Sequence, residues 1–524
     1  MKKHVYSGSI KLLLAAVWLI AIILPLIAML RQMSLADLQK LFTNRTTVKA
    51  IYQSLISASL STVISVCLGG ALAFCTARIG VRAKAFFAIV FTLPMLIPSM
   101  SHGMGLIILL GKNGFLTSLL HLNFDIYGLT GIIVGSVMCS FPVAYLMFAD
   151  ILKYEDSNPF EAAQVLGFSA WDKLTAIVLP YLRKPLISVV FAVFTMVVTD
   201  YGVPLMIGGK YKTLPVVMYE DVVGLLNFGK GSAIGVLLLL PAVISFLFDL
   251  FNKDRASVNY TSRPFGKNTS RPMHFIGNAL CTLTALCVAT PLLAFVLTAF
   301  AAKYPTNLSA SFSHMLRAME MGAGTYLGNS VIIAFGVALI GTLFAFTTAY
   351  LTARSPGTFS RWLHLLSLAS LAVPGMVLGL SYALFFSGSA FYGTFFILIM
   401  ANTVHFFASP YLMMYNTLGK ININLEAVGQ TLGIGKAYLI KDVLIPQTKS
   451  TLFEMFSYFF VNAMMTISAV SFLSNVRIKP VSLMINQFEA QAMLESAAFV
   501  SLLILGVNLI MKAVAYGLKK IAAN

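Results

Sequence analysis

The stretch EAAQVLGFSAWDKLTAIVLP, residues 161–180, returns in degenerate form as AVGQTLGIGKAYLIKDVLIP, residues 427–446. Gly167 and Gly433 are 266 positions apart, and so are Pro180 and Pro446. Each copy predicts a short helix, a glycine elbow and a second short helix. In Asn158-Pro159-Phe160-Glu161, Asn158 suits the helix cap and Pro159 the first helical position, and Glu161 completes a capping box. Gly167 then ends the helix, because glycine adopts positive φ without a Cβ penalty. Ser169, with Asp172 three residues on, caps the second helix, and Pro180 marks where that helix stops or bends. Asn424, Gly433 and Pro446 repeat the plan.

The duplication reaches well beyond these segments. Gln53-Ser54 aligns with Asn329-Ser330, Thr76-Ala77-Arg78 with Thr352-Ala353-Arg354, Pro98 with Pro374 and Gly103 with Gly379, all at an offset of 276. The change from 276 to 266 places a ten-residue deletion between Gly379 and Ala427, near Ser387 to Ala390.

The chain is 58% hydrophobic and 10% charged, with a mean hydropathy of +0.86. Such a sequence has too little polar surface for a water-soluble globule. Apolar runs of about 20 residues predict twelve spanning helices. They centre near residues 21, 65, 98, 140, 196, 241, 287, 339, 374, 403, 461 and 505, six in each half. The first run, Leu12 to Leu30, is longer than a typical signal-peptide core and lacks a convincing small-residue cleavage site, so it is expected to stay as a helix. With both termini in the cytoplasm, about two thirds of the 36 Lys and Arg fall on the cytoplasmic side, as the positive-inside rule requires.

This bias also accounts for the net charge of +18 as topology charges facing anionic lipid, so no nucleic-acid partner is expected. Cys67, Cys75, Cys139, Cys281 and Cys287 lie inside predicted spans with no CxxC pair, which indicates neither a disulfide framework nor a metal site.

The expected organisation is a first six-span unit over 1–251 with its elbow at 158–180, a polar basic cytoplasmic linker over 252–273, and a second six-span unit over 274–524 with its elbow at 424–446. An even number of spans leaves both copies in the same orientation, so the all-α chain should form a parallel pseudo-dimer about an axis along the membrane normal.

The first elbow resembles in full the EAA motif of bacterial ABC-importer permeases: EAA, three residues, Gly, nine residues, Ile, one residue, Leu-Pro. Glu161, Ala162, Ala163, Gly167, Ile177, Leu179 and Pro180 match every fixed position. The second copy departs from it. Ala427-Val428-Gly429 stands in place of EAA with Glu426 one position early, and Val443 and Ile445 replace Ile and Leu, while Gly433 and Pro446 remain. With two fused halves, nearly the whole chain resembles the ferric-iron, thiamine and phosphonate permease group, a type I importer architecture. The resemblance implies a multi-pass bacterial inner-membrane subunit, with a pair of separate ATPases docking on Glu161, Ala162, Ala163, Gly167 and Pro180 in one half and Glu426, Ala427, Gly433 and Pro446 in the other. It also implies an extracytoplasmic binding protein that delivers a small solute, ferric iron being favoured over phosphonate or thiamine. Asymmetric coupling is expected from the altered second motif.

No GxxxxGK[ST] loop occurs, so ATP and Mg are expected on the partner, with no cofactor and no catalytic residue here. For the solute pathway the candidates are Asp200, His102 and His405, polar groups inside predicted spans. Met465 to Leu473, the counterpart of the stretch around Asp200, carries no acid. Pro94, Pro98 and Pro374 are expected to kink the third and ninth spans. An ion-gradient-driven transporter of twelve spans is the competing class; it would want paired intramembrane acids, where Asp200 alone is offered. A membrane-embedded enzyme would want clustered His, Asp or Glu, which the sequence does not present.

Overall fold

The computed structural model describes residues 2–251 and 271–523, apart from 122, 154, 356 and 423; the linker expected over 252–273 lies almost wholly outside them. Among the described residues the fold is helical, with a two-stranded antiparallel hairpin, Ala301–Lys303 and Asn307–Ala310. Among the described residues nine helices are long and apolar enough to cross a membrane, and two bent pairs raise the number to eleven. Ile445–Met465 occupies the remaining predicted position, near residue 461, and is more polar, carrying Lys449, Glu454 and Asn462. Large apolar side chains such as Val63, Leu283 and Leu343 stand exposed on these helices. Such an apolar belt suits lipid, where helices already satisfy their own backbone groups.

The third and ninth spans are broken where prolines were expected only to kink them. Pro94 sits in a 3-10 turn, Leu93–Leu96, and Pro98 precedes a new helix, Ser99–Leu110. In the second half, Thr358–Ala372 and Gly375–Phe385 meet at 104° across Pro374. Proline has no N–H to give and excludes the preceding residue from the helical region, so a turn at this point divides the helix.

The internal repeat is visible in contacts. Ser54 Oγ accepts from Leu214 N at 2.7 Å, and Ser330 Oγ accepts from Val481 N at 2.8 Å. Thr76 meets the hydroxyl of Tyr145 at 3.5 Å, and Thr352 meets that of Tyr411 at 3.0 Å. The ten-residue difference is also explained: the first half inserts a short helix, Phe115–Leu120, where the second turns directly from Phe385 to Phe395.

The halves also exchange helices. The helix Lys2–Trp18 packs on Thr358–Leu368, and its continuation Leu24–Gln32 packs on Gly375–Phe385. Lys11 Nζ donates to Ser360 Oγ at 2.8 Å and to Ser355 O at 3.0 Å. Tyr382 donates to Ala21 O at 2.7 Å, and the Trp18 ring rests on Phe344 and Phe407. Reciprocally, Arg271–Ala299 lies against Ser99–Leu110 and Lys84–Thr92, and Asn508 on the last helix donates to Leu96 O at 2.8 Å.

Candidate functional site

The two elbows have one architecture. The first is a helix Asn158–Val165, followed by Gly167 at φ +72°; the second is a helix Leu425–Thr431, followed by Gly433 at φ +71°. Both close with a six-to-one Schellman hydrogen bond. Phe168 N donates to Ala163 O at 2.9 Å, and Ile434 N to Gly429 O at 2.8 Å.

The helix starts differ from expectation. Asn158 is the first helical residue and does not cap. Asp156 accepts from Asn158 N and Nδ2, both at 3.1 Å, while Glu161 accepts from the Ser157 hydroxyl at 3.1 Å. Asp156 stands two residues ahead of the amide, the spacing of an Asx turn, and the carboxylate takes both donors. Asn422 does the same in the second copy, accepting from Asn424 N at 2.9 Å. The Ser169–Asp172 capping box forms as expected.

Pro180 does not end the second short helix. Ala170–Lys173 runs through a π-helical turn, Leu174–Val178, into the span Leu179–Thr199. Lys436–Leu439, Ile440–Leu444 and Ile445–Met465 follow the same course. The widened turn takes up the missing proline N–H and the ring's clash with the carbonyl four residues back. The second short helix of each elbow is therefore continuous with its span, a lever that reaches from the elbow to the span's far end.

At those far ends lies a cavity of about 470 Å³. Four chain breaks converge on it: the ends of Leu179–Thr199 and Ile445–Met465, and the starts of Ser99–Leu110 and Gly375–Phe385. Asp200 and Thr466, related by the 266 offset, stand on its wall, as do Cys139 and His405, related in the same way. Asp200 turns its carboxylate toward the next short helix, accepting from Ser99 Oγ at 2.7 Å, Val203 N at 3.1 Å and Gly202 N at 3.3 Å. His405 lies against Phe406, and its buried Nδ1 has no hydrogen-bond partner among the described residues. His102 is not on the wall; it is buried, with Nε2 3.2 Å from Pro94 O. Cys139, Thr466 and Ser99 escaped the sequence reading, although the repeat offset applied to His405 and Asp200 points to the first two. No group of three His, Cys, Asp or Glu among the described residues could hold a metal ion.

The sequence signature of the family described as binding-protein-dependent transport system inner membrane component matches residues 65–255. A molybdenum transport system permease protein of Azotobacter vinelandii is 31% identical over 180 residues, 33% of this chain and 80% of the relative. The chain belongs to this family. It is a permease subunit of a binding-protein-dependent ABC importer, a multi-pass protein of the inner membrane. Longer matches tie both halves to permeases: a putative ferric transport system permease protein of Haemophilus influenzae is 24% identical over 83% of this chain and 72% of its own length. The ferric transport system permease protein of Actinobacillus pleuropneumoniae is 24% identical over 81% of this chain and 64% of its own. The family match in the permease includes the first elbow, its lever helix and Asp200.

Proposed function

We propose that the permease carries ferric iron, and that its two elbows, 158–180 and 424–446, are docking sites for a pair of separate ATPase subunits. The observation that carries the coupling role is the repeated elbow with its exposed apolar face: Val165 is 88% exposed, Leu166 71% and Trp171 69%, with Leu432 at 68% and Tyr438 at 67% in the second copy. Apolar side chains presented on both sides of a glycine elbow suit a partner's groove. The π-turn and span behind each elbow make it stiff enough to transmit displacement to the cavity.

In this reading, 1–251 and 274–524 act as two tandem units with 252–273 between them and both termini in the cytoplasm. ATP and Mg belong to the ATPases, and the chain itself has no cofactor. A binding protein delivers the solute to the opposite face, and the route passes Asp200 and His405. Ferric iron is favoured because the relatives that cover more than 80% of this chain are described as ferric transport permeases, whereas the molybdenum and sulfate relatives cover less than half of it. The cavity wall is mostly apolar, with side chains such as Met196, Leu371 and Phe406, and sets Ser and Thr hydroxyls, Asn462, His405 and one carboxylate, Asp200, among them, a lining that suits passage better than retention.

The test is uptake of radiolabelled ferric iron by a host deleted for this chain and complemented with it, combined with purification of the chain from its membranes. Expected are restored ferric uptake, no restored molybdate uptake, and a co-purifying ATPase that is lost when Glu161 and Gly167 are replaced together. Restored uptake with no ATPase bound would overturn the coupling role, and molybdate uptake would overturn the solute.

A further inference from the structure

Each elbow is fastened to its own half by an arginine from the end of the second long helix of that half. Arg78 ends the helix begun at Arg45, in the π-turn Cys75–Ile79; Arg354 is the C-cap of Ala323–Ala353. The two arginines are repeat equivalents, 276 positions apart. Their glutamate partners are not equivalent. Arg78 pairs with Glu155, which precedes the first elbow helix, and donates to Leu152 O at 3.2 Å. Arg354 pairs with Glu426, which lies inside the second elbow helix.

The second fastening engages the whole guanidinium. Arg354 Nε reaches Glu426 Oε1 at 2.6 Å and Nη2 reaches Oε2 at 2.5 Å, a two-pronged guanidinium–carboxylate pair. The remaining donors go to Leu418 O at 3.3 Å, Ile421 O at 2.6 Å and Asn422 O at 2.8 Å. All five guanidinium hydrogens are used, and the side chain is 2% exposed. Glu161, the motif glutamate of the first elbow, is exposed, and among the described residues its carboxylate accepts from the neighbouring Ser157 hydroxyl.

We propose that Arg354 and Glu426 are positioning residues that clamp the second elbow internally, so that the carboxylate the first elbow offers to its ATPase is spent, in the second, on holding the elbow to the membrane helices. The shifted glutamate is then a change of task. The first elbow recognises its ATPase through charge and apolar contact; the second relies on apolar contact and transmits movement through a rigid joint. The inference rests on the docking role proposed above, and the experiment separates the two.

Hydrogen–deuterium exchange of the solubilised permease reads the clamp without any ATPase. Glu426→Gln and Arg354→Gln should each speed exchange of the amides in 425–434 by about tenfold or more, the loss expected for a charge-assisted buried pair, while leaving 158–168 unchanged. The reciprocal swap, Arg354→Glu with Glu426→Arg, should recover part of the protection, which keeps the test informative if a single variant folds poorly. Glu161→Gln should leave exchange in both elbows unchanged. With the complex purified from native membranes, Glu161→Gln should weaken retention of the ATPase about tenfold. Glu426→Gln should hold retention within about twofold of wild type but lower the solute moved per ATP hydrolysed. Unchanged exchange in the Glu426 and Arg354 variants overturns the clamp. Loss of ATPase retention in Glu426→Gln equal to that in Glu161→Gln overturns the division of tasks. Failure of the wild-type chain to retain any ATPase, with the exchange results as expected, would instead fault the docking role and leave the clamp standing.

Discussion

Replacing Gly167 by valine isolates the elbow from the rest of the molecule. A Cβ at this position meets no atom within 4 Å, so the substitution brings no clash, and its whole effect comes from the backbone at φ +72°. The left-handed region costs an L-residue about 1–2 kcal/mol, and a β-branched side chain is the least tolerant of it. Escape to negative φ swings Phe168 N away from Ala163 O and breaks that closing bond. Taken together, a penalty of about 2–3 kcal/mol is expected, and at about 1.4 kcal/mol per tenfold this lowers the equilibrium constant between the native and opened elbow by roughly 30- to 140-fold. Asparagine, which tolerates this region, should cost about 1 kcal/mol and give an intermediate effect. Because the segment is exposed, membrane insertion and thermal stability should hold while iron uptake and ATPase retention fall together in the order Gly, Asn, Val. Exchange over 158–168 reports whether the elbow has opened. If the valine variant loses exchange protection yet imports at the wild-type rate, the glycine-terminated helix is not the coupling element.

Two further substitutions probe the cavity. Asp200→Ala removes the acceptor for Ser99 Oγ, Gly202 N and Val203 N and should destabilise the permease by about 1–3 kcal/mol, seen as a lowered Tm in detergent. Asp200→Asn keeps an acceptor but no charge and should spare most of that stability while slowing uptake; uptake equal to wild type would reduce Asp200 to a helix cap. Gly375→Val places a Cβ 2.2 Å from Ser468 Oγ and 3.0 Å from His405 Nε2, narrowing the wall between the four chain breaks. Uptake should fall sharply with ATPase retention intact, and normal uptake would remove this cavity from the solute route.

The elbows were legible in the chain because their determinants are local. A glycine that must adopt positive φ, a Ser–Asp capping pair and a proline near a helix start act within a few residues, and the 266 spacing makes the repetition of the glycine and the proline conspicuous. The choice of Asp156 over Asn158 at the helix start was less legible, since both can bond the same backbone and only the realised turn decides between them. The continuity through Pro180 likewise depends on a π-turn that no residue type announces.

Hydrophobicity and charge bias by themselves determined that the chain crosses a membrane many times, and the repeat determined that it does so in two similar halves. Which helices touch was decided by the tertiary structure. Lipid is as apolar as leucine, so burial gives no preference among partners, and association is left to close packing and hydrogen bonds between residues distant in sequence. Lys11 finds Ser360, Asn508 finds Leu96, and Arg354 finds Glu426 only once the helices are assembled. The cavity follows from the same assembly, because its walls are breaks in four helices that lie up to hundreds of residues apart and acquire a common centre only in three dimensions.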